Sequence, residues 1–139
     1  TDVQVSAAPG DDPLVITMRT DAGTVVSTEV NINAGYGYHV YAQIVGRTGT
    51  VEMVPPANIT VNQGGHGGVS YAPNWVPRFA EAYRRQMQAW VDGIAKGVRV
   101  GASAWDGYVT TAIAEQAVGA MTSGNRTAIR LPPRPTFYD

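Results

Sequence analysis

The run Leu14-Val15-Ile16-Thr17-Met18-Arg19-Thr20-Asp21-Ala22-Gly23-Thr24-Val25-Val26-Ser27-Thr28-Glu29-Val30-Asn31-Ile32 decides the fold class. Leu14, Ile16 and Met18 alternate with Val15, Thr17 and Arg19, the period of two that places one set of side chains on each face of a strand. The turn 20–23 ends in Gly23, where a positive φ is tolerated. A second strand over 24–32 then puts Val26, Thr28, Val30 and Ile32 on one face and Ser27, Glu29 and Asn31 on the other. Two such runs joined by a short turn make an antiparallel hairpin.

Reading outward, Val3-Gln4-Val5-Ser6 alternates upstream, before the turn-rich Pro9-Gly10-Asp11-Asp12-Pro13. Downstream, a strand is expected over 38–45, a turn over 46–49 and a strand over 50–54. Pro55-Pro56 ends that run, 58–62 is a further strand candidate, and Gln63-Gly64-Gly65-His66-Gly67-Gly68 has the composition of a loop. The period changes at Pro77. Phe79, Tyr83, Met87, Trp90, Val91 and Ile94 recur at spacings of three and four, which predicts an amphipathic helix with Pro77 at its first position. Glu81 and Arg85 pair on its polar side. Lys96-Gly97 makes the stop, a cation at the negative end of the dipole followed by a capping glycine. Ser103 and Asp106 form a capping box that opens a second helix, closed by Gly124. That helix is apolar on all sides, with Glu115 its only charge between Gly107 and Thr122, so cover on more than one face is expected. A short strand over 126–131 and the stiff Pro132-Pro133-Arg134-Pro135 follow. The fold class is therefore α+β, a mostly antiparallel open sheet with two main helices packed on one face. One domain spanning 1–139 is expected.

Composition narrows function. Of 139 residues, 44% are hydrophobic and 15% charged, the balance of a globular domain rather than a disordered chain. A net charge of −1 opposes nucleic-acid binding, which draws on a basic stripe. No apolar run reaches the roughly 18 residues of a membrane helix. No signal-peptide pattern opens the chain, so the sequons at Asn58 and Asn125 carry no weight, and a cytoplasmic location is expected. With no cysteine, thiolate metal sites and a cysteine nucleophile are excluded. His39 and His66, the two histidines, lack a second ligand three or four residues away, so no metal site is expected. Neither Gly35-Tyr36-Gly37 nor the 64–68 glycines sit between a strand and a helix at dinucleotide-binding spacing, so no cofactor site is expected. No Ser-His-Asp signature is present, and the single lysine, Lys96, is accounted for as a helix end.

One polar-aromatic group stands out. Tyr36 and Tyr38 flank Gly37, and on extended backbone their rings share a side, with a gap at Gly37 where a ligand can approach. Tyrosine rings offer a face to C–H groups and a phenol to hydroxyls, as a polyol pocket requires. Packing on the sheet is the other reading of the same two residues.

These residues carry a resemblance. Asn33-Ala34-Gly35-Tyr36-Gly37-Tyr38-His39-Val40-Tyr41-Ala42-Gln43-Ile44-Val45-Gly46-Arg47-Thr48-Gly49 resembles a segment of inositol dehydrogenases, members of the glucose-fructose oxidoreductase-like family. Trp75-Val76-Pro77-Arg78-Phe79-Ala80-Glu81-Ala82-Tyr83, Ser103-Ala104-Trp105-Asp106-Gly107-Tyr108 and Pro135-Thr136-Phe137-Tyr138 are similar to three further family stretches, in the same order. The resemblance runs from about Gly23 onward and departs from the family pattern at His39 (for Asp), Gln43 (for Glu), Asn74 (for Asp) and Arg134 (for Lys).

The resemblance implies an NAD- or NADP-dependent dehydrogenase acting on a cyclic polyol or sugar. The dinucleotide would be bound by an N-terminal Rossmann domain absent from these residues. This chain would supply the substrate-binding and oligomerisation domain, a dimer or tetramer forming through the sheet face. By motif position it implies substrate contacts from Tyr36, Tyr38, His39 and Trp75. For Trp75, capping the pocket from a loop and packing on the helix start both stand. No catalytic residue of the family maps onto this chain, and Trp105 and Tyr108 read as anchors of the second helix. A free-standing binding or oligomerisation module is the second function class, and an independent hydrolase or isomerase the third.

Overall fold

The computed structural model describes residues 1–54 and 60–138. It divides into two compact units, one of Thr1–Asn33 with Val100–Asp139 and one of Ala34–Arg99.

The first unit is built on a four-stranded antiparallel sheet: β1 (Asp2–Ala7), β2 (Leu14–Arg19), β3 (Val25–Val30) and β8 (Thr127–Ala128), in the order β3-β2-β1-β8. The expected hairpin is present, with Leu14 opposite Val30, Ile16 opposite Thr28 and Met18 opposite Val26. Asp12 fixes its open end: its carboxylate accepts from the Ile32 N–H at 2.9 Å and the Asn33 N–H at 3.0 Å, which holds its pKa below the usual carboxylate value. β1 is central because Val3 and Val5 are apolar enough to be buried, opposite Met18 and Ile16.

Helix α2 (Ala104–Ser123) lies on β1 and β8. Ala117 and Ala120, three residues apart on one face, bring its backbone close to Val3 and Val5, and these four residues form the core. Leu14, Ile16, Met18, Met121 and Ile129 pack around them. The capping box is as read: Ser103 Oγ accepts from the Asp106 N–H and the Asp106 carboxylate accepts from the Ser103 N–H at 2.7 Å. Gly124 closes the helix in the left-handed region. Thr110, Thr111 and Thr122 return their hydroxyls to carbonyls one turn back, so these polar groups fit an apolar helix. Gln116 does both: its amide donates to the Ala112 carbonyl at 3.0 Å, while its Oε1 accepts from the Arg130 N–H at 2.7 Å and pins the chain after β8. Cover on several faces was expected, yet Val118 is 58% exposed. Trp105 stacks on Tyr108 within the same helix at 5.3 Å and lies 6.5 Å from the Tyr138 ring.

The second unit holds two hairpins and a helix: β4 (Gln43–Gly46) with β5 (Gly49–Glu52), β6 (Thr60–Gln63) with β7 (His66–Val69), and α1 (Trp75–Lys96). Three expectations change here. The strand over 38–45 shortens to β4, because residues 35–36 turn and Gly37 takes a positive φ; Tyr38 keeps only an isolated bridge to Ala72. The glycine-rich stretch is not a simple loop: Gly64 and Gly65 make a tight turn with positive φ, and His66–Val69 returns as β7. Residues 55–59, which include Pro55, Pro56, Asn58 and Ile59, lie outside the described residues.

The third change concerns α1, which starts at Trp75 rather than Pro77. Asn74 is its cap, the Oδ1 accepting from the Val76 N–H at 3.0 Å. Pro77 then falls at the third helical position, where its missing N–H leaves no helical bond unmade. Asn caps as well as Asp does, which makes Asn74 a neutral departure from the family pattern. Glu81 accepts from Arg84 and Arg85, and those guanidinium groups lower its pKa to about 2. Gly97 ends the helix in the left-handed region, as expected.

Candidate functional site

The four candidate residues all belong to the second unit. Gly37 sets the local geometry. Its φ of +119° is a conformation L side chains rarely adopt, and it turns the backbone between the two tyrosines. Extended backbone, the premise for placing both rings on one side, is therefore not what the turn provides. The gap imagined at Gly37 is also filled, since a Cβ built there would lie 2.8 Å from the Cβ of Tyr71. The Tyr38 N–H donates to the Ala72 carbonyl at 2.8 Å and ties the turn to the 71–72 segment.

Tyr36 and His39 come together, and both meet Tyr71. The Tyr36 and Tyr71 rings are 5.4 Å apart at 64°, His39 and Tyr71 4.8 Å apart at 47°, and Tyr36 and His39 6.2 Å apart at 69°. Tyr36 is 61% exposed, while His39 and Tyr71 are half-buried. Tyr38 meets a different ring, edge-on to Phe79 at 6.1 Å. The Arg78 guanidinium lies 4.7 Å from the centre of that same Phe79 ring, a cation–π arrangement. Trp75 is the first residue of α1 and not part of a loop. Its ring meets Tyr83, eight residues and about two turns further on, at 5.7 Å across the break in helical geometry at Phe79, yet 51% of Trp75 remains exposed.

A polar triad adjoins the ring group. The Tyr41 hydroxyl donates to Glu52 Oε2 at 2.8 Å, and the Gln43 amide donates to the same oxygen at 3.2 Å. Hydrogen bonding to the carboxylate, with smaller effects of desolvation and charge, raises the Tyr41 pKa. Gln43 is a departure that this arrangement explains: a glutamate there would face Glu52 across the β4–β5 pair as a like charge. Tyr41 also lies 6.4 Å from the His39 ring.

Tyr71 escaped the sequence reading because it is 35 residues from Tyr36 in a stretch without a repeat or motif. Its only sequence signal is an aromatic just before the Pro73-Asn74 helix start. Among the described residues, no three His, Asp or Glu side chains could hold a metal ion. None of the described helices is long and apolar enough to cross a membrane.

A family model described as "Oxidoreductase family, C-terminal alpha/beta domain" matches residues 2–129. Inositol 2-dehydrogenase 1 of Saccharopolyspora erythraea is 44% identical over 133 residues, 96% of this chain and 40% of that protein. Inositol 2-dehydrogenase of Serratia proteamaculans is 33% identical over 128 residues, 92% of this chain and 38% of that protein. Among solved structures, the myo-inositol dehydrogenase of Lactobacillus casei in complex with NAD(H) and myo-inositol superposes with a TM-score of 0.85 at 28% identity. That match covers 100% of this chain and 44% of the other. The chain thus spans about two fifths of the length of the curated relatives it matches.

Proposed function

The chain belongs to the C-terminal alpha/beta domain of the oxidoreductase family, and on that premise we propose that it is the substrate-side domain of an NAD- or NADP-dependent dehydrogenase. The substrate is myo-inositol or a related cyclic polyol or sugar, oxidised at a carbinol carbon. The observation that carries this reading is a chain-long match to inositol dehydrogenases, one of them solved with NAD(H) and myo-inositol, in a chain that keeps the tyrosine-glycine-tyrosine turn.

In that reaction a hydride passes from the carbinol carbon to the nicotinamide and the hydroxyl proton passes to a base. The residues here do not fit the dinucleotide. Gly64 and Gly65 join two strands of a hairpin, so no helix N-terminus stands behind them to receive a pyrophosphate. The dinucleotide and the acid–base groups are assigned to a Rossmann domain outside these residues, and no step of hydride transfer to this chain. Its part is binding and orientation. The ring face of Tyr36 meets the C–H face of the polyol, its phenol and the His39 imidazole meet its hydroxyls, Tyr38 supports the turn from its edge-on contact with Phe79, and Trp75 closes one side. Holding the carbinol carbon at a fixed distance from the nicotinamide is itself a large part of the rate.

Homo-oligomerisation through the sheet face and a cytoplasmic location belong to the same proposal. The open outer face of β2 and β3, with Val15 and Val25 exposed, supports the first. The decisive experiment is to produce the full product of the gene that encodes these residues and follow NAD+ and NADP+ reduction with myo-inositol, scyllo-inositol and glucose. Polyol-dependent reduction is the expected result. Polyol binding without reduction would favour the free-standing module instead. Sedimentation of the same protein is expected to give a dimer or tetramer, and a lone monomer would remove the oligomer from the proposal.

A further inference from the structure

We propose that Tyr71 is a substrate-determining residue: with Tyr36 and His39 it forms a three-ring corner that seats the carbon face of the polyol. The inference rests on the substrate reading above and adds to it a residue that no family motif carries.

Three observations converge on Tyr71. All three pairs among Tyr36, His39 and Tyr71 lie within 6.2 Å at inclinations between 47° and 69°, so the rings make a corner and not a flat stack. An inclined corner presents faces to a ligand, whereas a parallel stack spends them on each other. The corner is also accessible, with Tyr36 mostly exposed and the other two half-buried. Finally, Tyr71 is held in register with the turn. The Tyr38 N–H bonds to the Ala72 carbonyl, and the absence of a side chain at Gly37 is what lets the Tyr71 Cβ approach. Gly37 therefore serves the site by admitting Tyr71, not by leaving room for a ligand.

The chemistry suits a cyclic polyol. Such a ring has a C–H surface on each side and a rim of hydroxyls. An aromatic corner covers the surface, while two phenols and an imidazole at its edges exchange hydrogen bonds with the rim. Tyr71 thus acts both by contact and by holding Tyr36 and His39 at their inclination.

The test is titration of the full product of the gene that encodes these residues, in the presence of NADH, with myo-inositol, followed by aromatic and imidazole NMR signals, for the wild type, Tyr71→Phe and Tyr71→Leu. Binding is expected to shift the His39, Tyr36 and Tyr71 ring signals together. Tyr71→Phe keeps the corner and is expected to change Kd less than threefold, while Tyr71→Leu raises it about tenfold or more, the scale of one lost pocket contact. Backbone amide signals of β4, β5 and α2 are expected to stay in place in both variants, separating loss of the corner from loss of the fold. If the wild type binds and Tyr71→Leu binds within threefold of it, Tyr71 has no such role and the substrate reading survives. If the full wild-type protein with NADH binds no myo-inositol, the substrate reading fails and this inference falls with it.

Discussion

Gly37 shows how much one residue decides. Its φ of +119°, and a Tyr71 Cβ that lies 2.8 Å from where a Cβ on residue 37 would stand, leave no room for any other side chain. Gly37→Ala is expected to destabilise the chain by about 1–3 kcal/mol, from backbone strain and displacement of Tyr71, read as a lower urea midpoint. Tyr41 makes a second prediction at this scale. Its neutral phenol donates to Glu52, so its folded pKa stands above the ordinary value of 10.0. A raised pKa means that the stabilisation is complete below the ordinary value and lost as pH rises through the folded one. Titration of the Tyr41 ring carbons by NMR is expected to give a midpoint above 10.0, and Glu52→Gln to bring it down. A midpoint unchanged by Glu52→Gln would mean that the bond does not form in solution.

Elements stand or fall on their ends. α2 begins at a reciprocal box between Ser103 and Asp106, and its interior offers no ion pair to replace a lost cap. Ser103→Ala is expected to cost about 1 kcal/mol, seen in the denaturant midpoint, and to raise the Asp106 pKa, because the Ser103 side-chain bond is the largest cause of its depression. Both changes belong to one helix end. A shift in the midpoint without a shift in Asp106 would place the effect elsewhere. α1 is built otherwise: an Asn74 cap, a Glu81 ion-pair fan with Arg84 and Arg85, and a Gly97 stop. Exposed pairs of this kind contribute little each, and Tyr83, Met87, Trp90, Val91 and Ile94 on its apolar face are all exposed, so within this chain the helix rests mainly on its caps.

At the scale of the whole molecule, the small core is the main fact. Among the described residues, Val3, Val5, Ala117 and Ala120 are the buried hydrophobics, with Val3 the largest side chain fully enclosed. Stability of the first unit therefore depends on a few contacts between β1 and α2. Val3→Ala is expected to cost about 2 kcal/mol, the value of burying one valine, which is a large share of a small domain's total. Chemical denaturation monitored by circular dichroism checks it, and a loss under about 0.5 kcal/mol would show that the core carries less than its burial suggests. Many apolar side chains, among them Ile44, Val45, Val51 and Ile94, are exposed in the chain by itself.

The strand faces of β2 and β3, the capping box at Ser103 and the glycine stops at Gly97 and Gly124 were legible from residue order alone. Each is governed by side-chain periodicity or by a hydrogen bond between residues at most four apart. Motif positions singled out Tyr36, Tyr38, His39 and Trp75; the structure brings Tyr36 and His39 together, while Tyr38 lies against Phe79 and Trp75 against Tyr83. The partition of strands among three sheets, the return of β7 through Gly64 and Gly65, and the partners of Tyr36 and Tyr38 were not legible in residue order. They depend on pairings across long separations, such as Tyr38 with Ala72, whose energies come from burial and register and leave no local mark. Tyr71 belongs to that second group. It enters the candidate site only because a positive φ at Gly37 lets two segments 34 residues apart close to van der Waals distance.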